Sequence, residues 1–471
     1  MKPHRFYYNR LLLVMLTPIL ILVLGVGLLA QPARSGGPAN GDLTAAIDDI
    51  MSKTYKPDHP GAAVIAVKDG KVVFRKGYGM ANLELGVPIR PEMVFRLGSI
   101  TKQFTTVAIL MLAEQGKLSV TDEITKYLPD FPTQGHKITI ENLLTHTSGV
   151  KNYTSLPEWL PLWRKDMTVT DLIALFKDKP LDFAPGEKWS YSNSGYILLG
   201  AIIEKVSGQK YEDFIEKRIF APIGMTHSFY DHTDRLIPGR VQGYSKDKDG
   251  FVNCAYLSMT QPYSAGSLAS SVDDLALWDQ ALYTEKLVKQ ESLKRAWTTF
   301  HLNNGKPTNY GYGWGISLLD RHPVIAHDGG INGFATSGLR LPEIHGYVAV
   351  LTNLDSAETG PDDAAAKIAL LLLGNPYKEP TPIDLPAGAI DRYVGRYQLE
   401  DGPMIAVTKE DGKLFITLGH KVEIIPMSET GFFSKGSMNR LEFTRDDLGA
   451  VTGLKLKTVM GIEMAATKSN K

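Results

Sequence analysis

Arg96-Leu97-Gly98-Ser99-Ile100-Thr101-Lys102-Gln103-Phe104 is the stretch around which the chain makes sense. A serine stands at the mouth of an amphipathic segment, and a lysine follows three residues later. From Phe104 the apolar residues Val107, Ala108, Met111 and Leu112 recur at helical spacing and stop near Gly116, a suitable C-cap. Positions three apart share a helix face, so Ser99 and Lys102 stand one above the other. A hydroxyl is too weak an acid to attack unaided. A desolvated, neutral amine beside it can take its proton, and a helix N-terminus favours nearby negative charge. Ser99 is therefore the candidate nucleophile and Lys102 its base. The same spacing occurs at Ser148–Lys151, Ser207–Lys210 and Ser245–Lys248, but none of these opens a long apolar-periodic helix.

Outward from this segment the chain divides by pattern. Leu43 to Met51 predicts a short helix, and Ala62–Val67 followed by Lys68-Asp69-Gly70-Lys71 and Val72–Arg75 predicts a β-hairpin. Ser99 to about Leu287 reads as mainly helical, with segments at Ile140–Leu144, Val169–Phe176, Gly195–Val206, Tyr211–Ile219 and Ser271–Leu282. Strands return at Val324–Ala326, Ala335–Leu341 and Tyr347–Leu351, then a helix at Asp362–Leu373. The expected fold is α/β of the α+β sandwich type: an antiparallel sheet built from both chain ends, with a large helical insert. A proline-rich linker spans 376–386, and regularly spaced short strands over 387–471 predict a small all-β barrel or sandwich.

The 471 residues are 43% hydrophobic and 22% charged, the composition of an ordinary globular protein. Lys+Arg and Asp+Glu both total 51, so no net charge argues for a nucleic-acid partner. The single cysteine, Cys254, excludes an intramolecular disulfide and any multi-thiolate metal site. Lys2, Arg5 and Arg10 precede an apolar run from Leu11 to Ala30, after which the chain turns small and polar. Residues 1–35 thus read as a signal peptide or as an N-terminal membrane anchor, and both imply that the remainder is exported to the periplasm or outside the cell.

Two further motifs carry polar chemistry. In Trp189-Ser190-Tyr191-Ser192-Asn193-Ser194-Gly195 an extended or looped backbone points Tyr191 and Asn193 the same way. A tyrosine beside an ammonium is expected to have a lowered pKa and to carry a proton to a leaving group, while Asn193 holds both the lysine and a substrate amide. Ile325-Ala326-His327-Asp328-Gly329-Gly330-Ile331-Asn332-Gly333 follows a predicted strand, and its glycines allow close approach of a ligand. The amides of Ser99 and Gly330 together form a candidate oxyanion hole, and His327 is placed to orient substrate or the tyrosine.

In this order, Ser99-Ile100-Thr101-Lys102, Tyr191-Ser192-Asn193 and His327-Asp328-Gly329 resemble the motifs of the serine β-lactamase and penicillin-binding protein superfamily. The resemblance is to the branch holding class C β-lactamases, DD-peptidases, D-aminopeptidases and related esterases. Supporting matches are Leu143-Leu144-Thr145-His146-Thr147-Ser148-Gly149, Pro185-Gly186-Glu187 and Tyr310-Gly311-Tyr312-Gly313-Trp314-Gly315, and the likeness covers about 42–375. It implies an acyl-enzyme on Ser99, proton transfer shared by Lys102 and Tyr191, and substrate binding by Asn193, His327, Asp328 and Gly329. It makes the Ser99 and Gly330 amides the oxyanion donors and His146 a structural residue. No cofactor or metal is implied, and the trailing β segment is similar to accessory barrels in some of these hydrolases.

Two departures bear on substrate. Many β-lactamases carry lysine where His327 stands, and family members often have a hydroxyl residue where this chain has Asp328. A carboxylate facing the cleft repels free-carboxylate ligands such as β-lactams. The expectation is an exported serine hydrolase of an ester or amide, esterase or D-amino-acid peptidase-like, acting on a small molecule or peptide. A β-lactamase or DD-carboxypeptidase acting on cell-wall peptide, or a non-catalytic sensor or scaffold, is the alternative. No G-x-S-x-G elbow, H-E-x-x-H helix or phosphate-binding loop occurs.

Overall fold

Asp69 and Gly70 have φ of +51° and +70°, the conformation of a two-residue turn whose twist matches its strands. Ala62–Lys68 thereby folds back on Lys71–Tyr78. Its other edge pairs with Gly346–Thr352, so the two ends of the domain meet in one sheet. The computed structural model describes residues 40–471 apart from 357–358, 387, 400–403, 419, 460–462 and 470–471. The basic N-terminus and the apolar run Leu11 to Ala30 lie outside the described residues. Among the described residues no helix is long and apolar enough to cross a membrane.

The sheet has six strands in the order Gly315–Leu319, His322–Ile331, Phe334–Leu341, Gly346–Thr352, Ala62–Lys68, Lys71–Tyr78, every neighbour antiparallel. Alternate residues of one strand feed two separate cores. Ala63, Ile65 and Val67 pack toward the helical insert, while Ala62, Val64 and Ala66 pack against the terminal helices Asn40–Thr54 and Pro361–Leu372. This explains why Ala62–Lys68 lacks polar alternation: both of its faces are covered.

The expected elements are present, with three differences. Val324–Ala326 is the middle of a longer strand, His322–Ile331, so His327-Asp328-Gly329-Gly330 lies inside it rather than beyond its end. The helix expected over Tyr211–Ile219 ends at Ile215 and continues as a π turn to Phe220. The insert also holds a small sheet of Phe95–Arg96, Leu268–Ser270 and Phe229–Tyr230, strands too short to show a period of two.

Beyond the proline-rich stretch, eight strands from Gly395–Leu399 to Glu463–Ser469 close into a barrel, the first pairing with the last. Tyr393, Tyr397, Phe432 and Phe443 fill its interior, with ring centroids 4.7 to 5.8 Å apart. Closure removes the exposed strand edges that a small open sheet would present.

Candidate active site

Strand Phe95–Arg96 leads into a 3-10 turn, Gly98–Ile100, and then into helix Thr101–Glu114. Ser99 is on the turn and Lys102 in the helix's first turn. The helix is buried nearly all round, so its polar side chains need partners. Leu268 N–H donates to Thr101 Oγ1 at 3.2 Å, Thr105 Oγ1 donates to Ser264 O at 2.7 Å, and Trp278 Nε1 donates to Gln103 Oε1 at 3.0 Å. Phe104 stacks on Trp278 with centroids 4.1 Å apart. These bonds fix the position from which Ser99 and Lys102 project.

Lys102 is 0% exposed. Its Nζ lies 3.0 Å from Ser99 Oγ, 2.9 Å from Asn193 Oδ1 and 2.9 Å from the Ala265 carbonyl oxygen. Burial pushes its pKa down to about 7, against the opposing pull of the Asp328 charge. A neutral amine has two hydrogens and one lone pair. Asn193 Oδ1 and Ala265 O can only accept, so they take the two hydrogens. The lone pair is then left for the Ser99 hydroxyl, which donates to it.

Asn193 opens helix Asn193–Ser207 and is itself held: its N–H donates to Asn152 Oδ1 at 3.1 Å and its Nδ2 to Thr154 Oγ1 at 3.2 Å. Two residues earlier, the Tyr191 ring lies beneath Lys102 Nζ, 4.8 Å from centroid to nitrogen. The Tyr191 hydroxyl is enclosed and in no hydrogen bond of normal geometry, though the Ser99 hydroxyl favours its ionised form. The lowered pKa expected for this tyrosine is not found. Burial raises it well above the usual phenol range, because Lys102 faces the ring and not the oxygen. Tyr191 is therefore a proton donor, not a phenolate.

His146 supports this loop from behind. Ser192 N–H donates to its Nδ1 at 3.1 Å, and its ring lies against Tyr191 and Tyr310 at 4.2 and 4.9 Å. Burial first, and the charges of Lys102 and His327 after it, hold its pKa well below the ordinary value. A neutral ring that accepts at Nδ1 holds the Ser192 backbone in place.

The other wall is the free edge of His322–Ile331. This strand pairs with Gly315–Leu319 only as far as Ala326, so beyond it one edge faces the Ser99 turn. Gly98 has φ +53°, and a Cβ there would lie 3.0 Å from Gly330 N and 3.2 Å from Gly330 O. The backbones of the turn and the strand are thus in contact where an oxyanion hole is expected. His327 is buried on the insert side, and both ring nitrogens are engaged. Its Nδ1–H donates to Asp328 O at 2.6 Å, and its Nε2 accepts from the Tyr310 hydroxyl at 2.8 Å. The tyrosine expected beside His327 is Tyr191, but the one its Nε2 engages is Tyr310.

Asp328 is exposed and sits on the opposite face, since Val324 and Ala326 belong to the core beneath the terminal helices and Ile325 to the insert core. Its carboxylate does not project beside His327. It still raises the pKa of Lys102 and His327 through its charge.

The paired glycines differ in what surrounds them. A Cβ on Gly329 would meet Leu97 O at 2.0 Å and Thr336 Oγ1 at 2.3 Å, whereas nothing lies within 4 Å of one on Gly330. Gly329→Ala is expected to push the strand off the Ser99 turn, lowering both thermal stability and turnover by about tenfold or more. Gly330→Ala is expected to unfold at the wild-type temperature. Equal melting curves for the two variants would contradict this contact.

Three participants left no readable signal in the sequence. Ala265 contributes a backbone carbonyl, which no side-chain pattern reports. Asn152 and Thr154 are polar residues in a loop, typical of any surface turn. Tyr310 stands in a quoted motif, but only the fold brings it to His327.

A family model described as Beta-lactamase matches residues 43–373, and one described as a domain of unknown function (DUF3471) matches residues 379–469. The chain is 33% identical over 412 residues to penicillin-binding protein 4* of Bacillus subtilis (strain 168), covering 81% of this chain and 89% of that one. It is similar to the structure of an octameric penicillin-binding protein homologue from Pyrococcus abyssi. The TM-score is 0.63 at 28% identity, over 91% of this chain and 99% of that one. A D-stereospecific amidohydrolase from Streptomyces sp. aligns with a TM-score of 0.59 at 27% identity, over 70% of this chain and 98% of that one.

Proposed function

Because the chain belongs to the beta-lactamase family, we propose that it is an exported serine hydrolase that cleaves an ester or amide through a Ser99 acyl-enzyme. The observation that carries this reading is the placement of Lys102 Nζ among three oxygens, those of Ser99, Asn193 and Ala265. Two acceptors, Asn193 Oδ1 and Ala265 O, consume the hydrogens of a neutral amine and leave its lone pair for the Ser99 hydroxyl.

In this reading Ser99 Oγ attacks the carbonyl carbon while its proton passes to Lys102 Nζ. The Ser99 and Gly330 amides receive the negative oxygen of the tetrahedral intermediate. Tyr191, held protonated by burial, gives its proton to the leaving alkoxide or amine and regains one from Lys102, whose ammonium must swing from the ring to the phenol oxygen to deliver it. The acyl group stays on Ser99 until water, deprotonated by the same amine, releases it as a carboxylic acid. Esters and D-amino-acid amides or peptides are the substrate classes favoured. Among the relatives one is named as a D-stereospecific amidohydrolase. Export rests on the N-terminal sequence alone.

The test is a panel of an activated ester, a D-amino-acid amide, a D-Ala-D-Ala peptide and a chromogenic cephalosporin, with mass spectrometry of the intact protein. Turnover of the ester or amide with an adduct on Ser99 is the expected outcome. No turnover and no adduct with any of them would leave the non-catalytic sensor as the better reading.

Asp328 reaches this site through its charge alone, from the opposite face of its strand, and not as the cleft-facing carboxylate that the sequence suggests. Asp328→Asn keeps the size of the side chain and tests that charge. The same change removes the charge that raises the Lys102 pKa, so the rising limb of kcat/KM should move to lower pH. An unmoved limb would show that Asp328 is not felt at Lys102.

A further inference from the structure

The helix Pro361–Leu372 starts with two adjacent carboxyls that serve different neighbours. Asp362 is turned to the sheet, where the Ser337 hydroxyl favours its ionised form and the charge of Asp328 opposes it. Ser337 stands directly opposite Asp328 in the strand register, and the helix covers this face of the sheet, with Ala364, Ala365 and Ile368 in one core with Val324, Ala326 and Leu339. Burial and the Asp328 charge together hold Asp362 well above the usual carboxyl range.

Asp363 is turned to the barrel. Its Oδ1 accepts from Ser437 Oγ at 2.9 Å and from Met438 N–H at 2.6 Å. Both donors are in the turn that joins Gly431–Ser434 to Arg440–Arg445. The same turn offers the Gly436 carbonyl to Thr359 Oγ1 at 3.3 Å and to Lys367 Nζ at 3.4 Å, and Met438 packs into the core beneath the sheet. Asp363 and Ser437 are 7% and 8% exposed. A nearly buried carboxyl is costly unless it is hydrogen-bonded, and here one barrel turn supplies two donors to Oδ1.

We propose that this turn is a latch on the catalytic strand: Asp363 anchors the start of helix Pro361–Leu372 to the barrel, and the packing of Ala364, Ala365 and Ile368 on Val324, Ala326 and Leu339 passes that anchoring to His327–Gly330. Asp363 is thus a positioning residue, and the barrel is a working part of the hydrolase site. The geometry requires no movement of the barrel over the cleft. It requires only that the strand forming one wall of the site be backed by a helix whose first turn cannot shift. A displacement of the strand by a fraction of an ångström alters the distance between the Gly330 amide and Ser99, on which oxyanion stabilisation depends.

The activity arm of the test rests on the serine hydrolase reading, and the exchange arm does not. In the full chain, Asp363→Ala is expected to lower kcat on an activated ester about tenfold with KM within about twofold, the scale of coupling carried through a packed network. Asp363→Asn keeps an oxygen for both donors and is expected to restore kcat to within about threefold of wild type. Amide hydrogen exchange over residues 327–337 should accelerate in Asp363→Ala while that over Thr101–Glu114 stays at the wild-type rate. If Asp363→Ala does not fold, Ser437→Ala, which removes one donor, decides by the same two readouts with a smaller effect of about threefold. A folded variant with lower stability but wild-type kcat and wild-type exchange over 327–337 would overturn the latch and leave a merely adhesive contact. If wild type hydrolyses none of the panel, the catalytic reading fails, and the exchange measurement still decides the latch.

Discussion

Ser99→Ala is expected to leave a folded protein whose hydrolysis of an activated ester falls by about 10⁴-fold or more, with no covalent adduct in the intact mass. The side chain lost is only half-buried and its hydroxyl bonds to Lys102, so the core beneath it keeps its packing. Equal labelling of wild type and Ser99→Ala by a fluorophosphonate would remove the serine from the mechanism. The other serines with a lysine three residues on offer an internal control. Ser148 Oγ, for one, is buried and accepts from Val150 N–H, not from a lysine.

Lys102 is the second large effect, and it separates a general base from a merely packed amine. Lys102→Ala is expected to slow acylation by about 10²–10⁴-fold, the range for losing positioned proton transfer. In wild type the amine must be neutral to act. With its pKa pushed down to about 7, kcat/KM should rise with pH through about 7 and flatten above it. A profile already flat from pH 5 upward would mean that another group takes the proton. The burial that makes Lys102 a base also weakens the fold. The unfolded chain holds this proton up to the ordinary lysine value of 10.5, while the folded protein releases it near 7. The unfolded state therefore binds more protons between these limits, and the penalty is full below about 7 and relieved as pH rises toward 10.5. Lys102→Met, which keeps the stem and drops the charge, is expected to melt higher than wild type at pH 6 while losing acylation as Lys102→Ala does. A lower melting temperature would show that the three hydrogen bonds of Lys102 outweigh its desolvation.

Much of this was legible before any coordinates. The helix after Ser99, the hairpin through Asp69-Gly70, the return of strands late in the chain and the closing β segment all follow from short-range rules. They depend on period, turn chemistry and caps, each written within about a dozen residues. The pairing of Ser99 with Lys102 belongs to the same class, because one helical turn holds both. Errors arose where a local rule met a distant neighbour. Gly329 and Gly330 looked like the end of a strand, yet Thr336 and Ala335 pair with them across the sheet. Tyr191 looked like a phenol poised to ionise, yet packing set the lysine over its ring and shut water from its oxygen.

By itself, then, the sequence determined the elements and their order, and it put Ser99, Lys102 and Tyr191 forward as candidates for the chemistry. Those follow from interactions between near neighbours along one chain. Only the tertiary structure decided the state of each group: that Lys102 is dry enough for its pKa to fall to about 7, that its amine stands against Ser99, and that Tyr191 keeps its proton. It also decided that Asp328 acts from the far face of its strand and that Asp363 meets the barrel. The physical reason is common to all five. Desolvation, hydrogen-bond direction and charge proximity are set by atoms far apart in sequence, here Lys102, Asn193 and Ala265, which share a site only once the sheet and its insert have closed around them.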